Sequence, residues 1–364
     1  MAGALPEEGK LTDDIGVTPA GLRKWSPSAL RAGRAIGVLS SIALTLMGLL
    51  LLTFLLARFL PADPVYAIIG DNADRDTYER VYRELGLDQP VYQQFFTYAL
   101  KVVTGDLGMS HITGMPVVRD LLEVVPATLE LAIVAIILGS AAGIPLGVLA
   151  GTNQNKPIDH VVRIIGLIGY STPAFWAGMG ILIIFYAQLG WIGGAGRQDP
   201  YFFGEVPTVT RLVTVDALLA GRVDIFLDAL RYLVAPALIL AYNALAYISR
   251  MTRSFMLEQM NQEYVVTAKA KGLSRGKVIW AHAFVNIRVQ LVTIVALTFG
   301  AMLEGAVLVE TVFAWPGLGQ YLTRGLMFRD MNVVLGSVLV IGIFFIILNM
   351  LADFAYRQLD PRTR

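Results

Sequence analysis

Residues 125–151 read VPATLELAIVAIILGSAAGIPLGVLAG, and Glu130 is the only ionisable side chain among them. A helix rises about 1.5 Å per residue, so about 20 apolar residues cross the hydrocarbon core of a bilayer. This stretch is long enough, and five others share its character. They are 36–60, with Arg58 its only charge; about 164–190, free of charge; about 232–249, just long enough; 289–312, interrupted by Glu304 and Glu310; and 333–352, free of charge. One such segment is compatible with a buried soluble helix. Six in one chain predict an all-α polytopic membrane protein.

Composition agrees. At about 150 residues per domain, 364 residues would make two soluble domains. Yet 55% of the residues are hydrophobic and 16% are charged, against roughly 25% charged in an average soluble domain. The mean hydropathy is +0.61. The formal net charge is +1, which gives no global field for nucleic acid. Cysteine is absent, which excludes disulfides, thiolate metal sites and cysteine nucleophiles. His111, His160 and His282 are far apart in sequence and show no metal-ligand spacing.

About 35 polar residues precede the first apolar run, and that run is too long for the core of a signal peptide, so it reads as an uncleaved anchor. Of the 29 Lys and Arg residues, 17 fall in residues 1–35, 152–163, 250–288 and 353–364, the segments that share one side. By the positive-inside tendency both termini are expected in the cytoplasm. The outer segments are long. Within 61–124, Tyr78, Val81, Tyr82 and Leu85 recur at helical spacing among charged residues. Residues 191–231 begin with a Gly/Trp/Pro-rich loop, Trp191 to Pro207, and continue into Val215 to Leu230, which reads as a helix lying on the membrane surface. These segments either cover the outer ends of the spans or dock an outside partner.

Several chemistries are missing. None of the seven lysines is followed by Ser or Thr, so there is no phosphate-cradling loop. There is no His-Glu-x-x-His, and Ser171 in Gly169-Tyr-Ser-Thr-Pro lacks the second glycine of a nucleophile elbow. If ATP energises transport, the ATPase is another chain. A stand-alone secondary transporter would carry intramembrane ion ligands and two inverted halves. No half repeat is visible, and Glu304 and Glu310 are the only acids deep in the spans.

The most informative loop is Met256 to Asn286, between the fourth and fifth spans. Local physics predicts a short helix with both ends marked. Asn261 can cap its N-terminus and Glu263 suits the first turn. Lys269 and Lys271 sit in the last turn, Gly272 can take the left-handed position after it, and Ser274 can cap a following helix. Thr267, Ala268 and Ala270 are small enough to let another surface approach. A helix of two turns is marginal alone. It is either a knob for a partner's groove or an amphipathic loop resting on the bilayer.

This segment resembles the EAA loop of ABC importer permeases. The chain as a whole resembles the dipeptide/oligopeptide/nickel permease family, in the branch of its first permease subunit. The matching segments are Gly105-Asp-Leu-Gly-Met-Ser110, Pro126-Ala-Thr-Leu-Glu-Leu131, Gly143-Ile-Pro-Leu-Gly147, Ser171-Thr-Pro-Ala-Phe-Trp176, Tyr264 to Ser274, Gly305 to Gly319 and Leu359-Asp-Pro-Arg362. They cover about residues 36–364, which reads as the permease domain, and residues 1–35 look like a cytoplasmic extension. The resemblance implies the type I importer fold, with six spans, a cytoplasmic coupling helix and large periplasmic loops, in a bacterial inner membrane. It implies a heterodimer with a second, homologous permease. It also implies two ATPase subunits that bind ATP and magnesium, and a periplasmic or lipid-anchored substrate-binding protein. No cofactor, metal, catalytic residue or nucleic-acid partner is expected in this chain. Carried over by position, Glu263, Tyr264, Thr267, Ala268, Ala270, Lys271 and Gly272 belong to the coupling helix. The implied cargo is a small peptide; glutathione, opines and nickel chelates are the alternatives.

The sequence departs from the family in places. Where the general loop motif has Glu and two alanines it carries Val266-Thr267-Ala268, a loss of the acid that the peptide branch shares. The proline often found soon after the position of Asn286 is absent, so the start of span five is expected to be straighter. Glu304 stands where the family usually has a small residue. An acid inside a span is costly and faces a partner or a wet path. Glu304 therefore either lines the translocation path, favouring cationic substrates, or pairs with a basic residue of the second permease, or sits near enough to the outer interface to be hydrated. Tyr170, Phe175 and Trp176 flank the Pro173 kink and either face the pore or pack. Glu310 matches the family, and with Trp315, Pro316 and Gly317, a tight turn, it is expected to shape or gate the outer mouth. Glu130, Asp63 and Arg58 read as interface anchors or ion pairs.

Overall fold

A computed structural model describes residues 27–59, 64–70 and 74–359, and most of them are helical. In chain order the helices are α1 (Pro27–Phe59), α2 (Pro64–Ile69), α3 (Arg75–Glu84), α4 (Val91–Val103), α5 (Val117–Thr152), α6 (Pro157–Ser171), α7 (Ala174–Ile181), α8 (Val213–Leu219), α9 (Val223–Met260), α10 (Glu263–Ala270), α11 (Arg275–Lys277), α12 (Phe284–Val312), α13 (Leu318–Met327) and α14 (Met331–Leu359). The π-helical turns Leu182–Gln188 and Val278–Ala283 prolong α7 and join α11 to α12. The chain divides into two compact units, residues 1–45 and 46–364. The described part of the first unit, residues 27–45, is helical; the second holds all the other helices. Most of the extension expected over 1–35, together with Asp63 and the Asp360-Pro361-Arg362 tail, lies outside the described residues.

Among the described residues, three helices are long and apolar enough to cross a membrane: Val117–Thr152, Arg275–Val312 and Met331–Ala352. A fourth candidate is the pair Pro157–Ser171 and Ala174–Gln188, and α1 contains a shorter apolar stretch, Ser40–Leu56. The expected third span is not one straight rod, because that pair is bent by 94°. The cause is local. Proline disfavours helical backbone in the residue before it, and Thr172, which precedes Pro173, is extended at φ −89° and ψ 118°. The Ile168 carbonyl accepts the last helical bond from Thr172 N–H at 3.0 Å and a second from the Thr172 hydroxyl at 2.8 Å.

The expected fourth span, 232–249, is the middle of α9, a helix of 38 residues. At 1.5 Å per residue it is about 57 Å long, so it overruns any bilayer. This corrects two readings. Val215 to Leu230 is not one surface helix: Ala220–Arg222 turn the chain, with Gly221 at φ +69°, and Val223 onward is the first part of α9. The loop after span four is also shorter than 256–286, since α9 runs to Met260 and helix resumes at Arg275. The helix from Arg275 to Val312 is continuous through its π-helical turn.

The core is the crossing of α5 and α9. Gly139, Gly143, Gly147 and Gly151 recur every four residues and make a smooth face on α5. A Cβ built on Gly139 would lie 2.7 Å from Ala244 Cβ, one on Gly147 2.5 Å from Thr252 Cβ and one on Gly151 2.6 Å from Met256 Cβ. The backbones touch because these positions lack side chains, the small-residue packing that suits helices in lipid. Leu131, Ala135, Leu233, Ala237, Ile248, Ala306 and Phe313 complete the buried cluster that joins α5, α9 and α12.

Candidate functional site

The coupling segment folds as a two-turn helix, α10, on its own support. Leu273 N–H donates to Ala268 O at 3.3 Å and Gly272 N–H to Lys269 O at 3.0 Å, with Gly272 at φ +77°. This is the paired glycine-terminated stop that the sequence predicts. The other end differs. Gln262, not Asn261, occupies the N-cap position, and its side chain makes no cap bond. Asn261 closes α9 instead, because α9 runs about three turns beyond its apolar part, to Met260. Ser274 stands at the start of α11 as expected, but only its carbonyl is used, accepting from Val278 N–H at 3.0 Å.

Val265 and Ala268 point inward and pack with Val278, Met260 and Leu273. Ala268 therefore does not lie on the free face of the knob: three residues after Val265, it shares the buried side of the helix. Glu263, Tyr264, Val266, Thr267, Ala270, Lys271 and Gly272 are exposed. Tyr264 is steadied by its hydroxyl, which donates to Gln259 Oε1 at 2.7 Å. The free face is thus Tyr264, Val266, Thr267 and Ala270, with Lys269 and Lys271 at its edge.

Two contacts tie this end together. The Arg253 guanidinium on α9 grips the Asp159 carboxylate on α6 with two bonds, 2.5 and 2.8 Å, and Asn155 N–H donates to the same carboxylate at 2.9 Å. The guanidinium beside it holds the Asp159 pKa down at about 2. Arg275 donates to Thr152 O and Asn153 Oδ1, both at 2.8 Å, joining α11 to the end of α5. α10 is therefore mounted on a frame built from α5, α6 and α9.

A second cluster closes the opposite end of α12. Glu310 is fully buried. Thr128 Oγ1, on α5, donates to Glu310 Oε1 at 2.6 Å, and Gln320 N–H, in the first turn of α13, donates to Oε2 at 3.0 Å. Leu318 N–H in turn donates to Thr128 Oγ1 at 2.7 Å. The carboxylate thus stands at a helix N-terminus, where free N–H groups favour negative charge. The turn is as tight as expected: Trp315 N–H donates to Glu310 O at 2.8 Å and Gly317 N–H to Trp315 O at 2.7 Å. A Cβ on Gly317 would overlap the Glu310 carboxyl, and one on Gly319 would lie 2.5 Å from Val307 Cα. Trp315 is buried, with its indole N–H on Ala127 O at 2.9 Å. Arg197 lies over the Trp315 ring, 5.5 Å from its centroid, and forms an ion pair with Glu130. Glu130 is therefore an ion-pair anchor, and it also accepts from Thr214 N–H at 2.9 Å.

The remaining candidates are dispersed. Glu304 is exposed on α12, beside Gly305, which has open space around it. Tyr170, Phe175 and Trp176 are exposed around the α6–α7 break, and Arg250 lies 5.5 Å from the ring centroids of both Tyr170 and Tyr247. Glu304 and these aromatics form no joint cluster with the Glu310 turn. Thr128, Asp159, Arg253 and the glycine row on α5 carry much of the geometry and were missed. The four-residue glycine spacing was a readable signal, whereas the partners of Thr128 and Asp159, 182 and 94 residues away, have none in a single sequence.

Residues 143–364 match the model of binding-protein-dependent transport system inner membrane components, and residues 34–132 match the model of their N-terminal region. The chain belongs to this family. It is similar to the probable D,D-dipeptide transport system permease protein DdpB of Escherichia coli K12, at 40% identity over 322 residues, 88% of this chain and 94% of that one. It is 39% identical over 321 residues to the di/tripeptide transport system permease protein DppB of Pseudomonas aeruginosa, covering 88% of this chain and 95% of the relative. A putative peptide transport system permease protein of Brucella abortus is 37% identical over 334 residues, 92% of this chain and 97% of that one. This permease is the non-catalytic inner membrane component of an ABC transporter that works with a binding protein.

Proposed function

We propose that this permease imports small peptides as half of a heterodimeric channel, with a second homologous permease beside it and two ATPase subunits beneath. A periplasmic or lipid-anchored binding protein delivers the cargo. Six spans cross the membrane, carried by α1, α5, the bent α6–α7 pair, α9, α12 and α14, in the type I importer arrangement. Both termini and α10 are cytoplasmic. ATP and magnesium reside on the ATPase subunits, and this chain transmits force.

The observation that carries the reading is the mounting of α10. The helix is anchored from within by Val265 and Ala268 and leaves Tyr264, Val266, Thr267 and Ala270 free. Asp159, Arg253 and Arg275 fasten the frame behind it, so a push on the free face moves α5, α6 and α9 together. ATP binding can drive transport only if it stabilises one permease conformation more than the other, and a rigid contact of this kind supplies that difference. Glu310 and its turn hold the outer mouth. Glu304 faces the path and favours cationic cargo, because an exposed acid in a span needs a wet surface or a partner.

The test is uptake by the reconstituted complex. Thr267→Trp, on the free face, abolishes ATP-dependent peptide uptake while the permease pair still assembles. Cargo captured by the binding protein and identified by mass spectrometry separates peptides from glutathione, opines and nickel chelates. Glu304→Gln weakens uptake of cationic relative to neutral substrates; unchanged preference removes Glu304 from the path.

A further inference from the structure

Helix α4 carries an apolar stripe that no described part of the chain covers. Tyr92, Phe96, Leu100 and Val103 are 62%, 67%, 66% and 77% exposed. At 100° per residue they fall within about 80° of one another around the helix. The other faces are different. Phe95 and Tyr98 meet α1: the Phe95 ring centroid lies 5.5 Å from that of Phe54, the Tyr98 ring centroid 6.0 Å from it, and the Tyr98 hydroxyl donates to Thr53 Oγ1 at 2.9 Å. Gln93, Thr97 and Lys101 form an exposed polar edge between those two faces.

We infer that α4 lies in the membrane–water interface, with its stripe among the lipid chains. The inference rests on α1 being a span, as proposed above. The argument is one of depth. Thr53 and Phe54 lie five to six residues before Phe59, where α1 ends. At 1.5 Å per residue, the middle of α4 is held about 8–9 Å below the end of that rod. Interfacial helices bury their apolar face about 5–10 Å into the headgroup and acyl boundary. A stripe of one Tyr, one Phe, one Leu and one Val, with a lone Lys in the last turn able to reach up to the headgroups, matches that environment. The neighbouring helix α3 shows the contrast. Arg75, Asp76, Glu79, Arg80, Arg83 and Glu84 crowd its ten residues, and it turns Tyr78 toward Tyr66, ring centroids 5.0 Å apart. α3 is built for water and α4 for lipid.

The chain has no cysteine, so single spin labels can be placed without background. Phe96→Cys and Leu100→Cys are labelled in the complete complex in lipid nanodiscs. Relaxation by oxygen, which partitions into lipid, is compared with relaxation by a water-soluble nickel chelate. Oxygen dominates at both positions, while the chelate dominates at Asp76→Cys on α3 and Gln93→Cys on the polar edge. Val103→Cys gives the same readout if either label prevents assembly. Dominance of the chelate at 96 and 100 overturns the inference. So does exclusion of both relaxants with an immobilised spectrum, which would mean that the binding protein or second permease covers the stripe. A label at Met47→Cys, near the middle of the apolar part of α1, separates the failures: chelate dominance there refutes α1 as a span and not the placement of α4 alone.

Discussion

The Glu310 cluster allows the most quantitative prediction. Glu310→Gln keeps the shape of the side chain and replaces one carboxyl oxygen with an NH2 group. In the native site, donors from Thr128 Oγ1 and Gln320 N converge on the two carboxylate oxygens at 2.6 and 3.0 Å. An amide has one acceptor oxygen, and its NH2 is a donor. With the NH2 toward Gln320, two donors face each other; with the NH2 toward Thr128, the hydroxyl oxygen can accept from it but the hydroxyl hydrogen loses its carboxyl partner. Either way one buried donor is left over, at a cost of about 1–3 kcal/mol. In large domains a kilocalorie moves the melting point by roughly 2 °C or slightly more, so the expected fall is about 2–6 °C. Thr128→Val has a comparable effect, because the hydroxyl also accepts from Leu318 N–H at 2.7 Å. The groups form one chain of bonds, so the double variant falls short of the sum of the singles. The assay is the apparent melting temperature of the purified complex, with peptide uptake beside it. A Glu310→Gln complex that melts within 1 °C of the parent, or two losses that add fully, refutes the reasoning.

Three further outcomes are expected. Gly147→Leu separates α5 from α9, since even a Cβ there lies 2.5 Å from Thr252 Cβ, and the variant fails to accumulate in the membrane. Ala268→Leu and Ala270→Leu behave differently although they are two residues apart. The first disturbs the support of α10 and lowers the melting point, and the second leaves melting unchanged and lowers uptake. Asp159→Asn loosens α6 from α9 and lowers the melting point, with a characteristic pH dependence. The Asp159 pKa, about 2, lies below the ordinary value, so its stabilisation is fully present above about pH 4 and is lost as pH falls toward 2. The melting difference between parent and variant is therefore flat from about pH 5 to pH 8.

The long apolar runs were legible because lipid leaves few options: backbone groups in it must bond within one helix. The stop of α10 was legible for a similar reason, since Gly272 takes a left-handed turn that other residues rarely adopt. Its start was misplaced by one residue because Asn261 serves equally well as the end of α9. Ala268 was assigned to the wrong face because smallness suits burial as well as an approaching partner. The break at Thr172 follows from Pro173, but the 94° angle of the bend has no signal in the sequence. The Thr128–Glu310 bond joins residues 182 positions apart and depends on the register of α5 against α12, which periodicity does not encode.

The central claim is that the free face of α10 receives the stroke of an ATPase. It is tested most directly by crosslinking. Ala270→Cys, in this otherwise cysteine-free chain, is paired with single cysteines along the groove of the ATPase subunit in the full complex. A bond that forms efficiently and stops ATP-dependent uptake until it is reduced is the predicted result. No crosslink at any groove position, together with undiminished uptake by Thr267→Trp, would contradict the account.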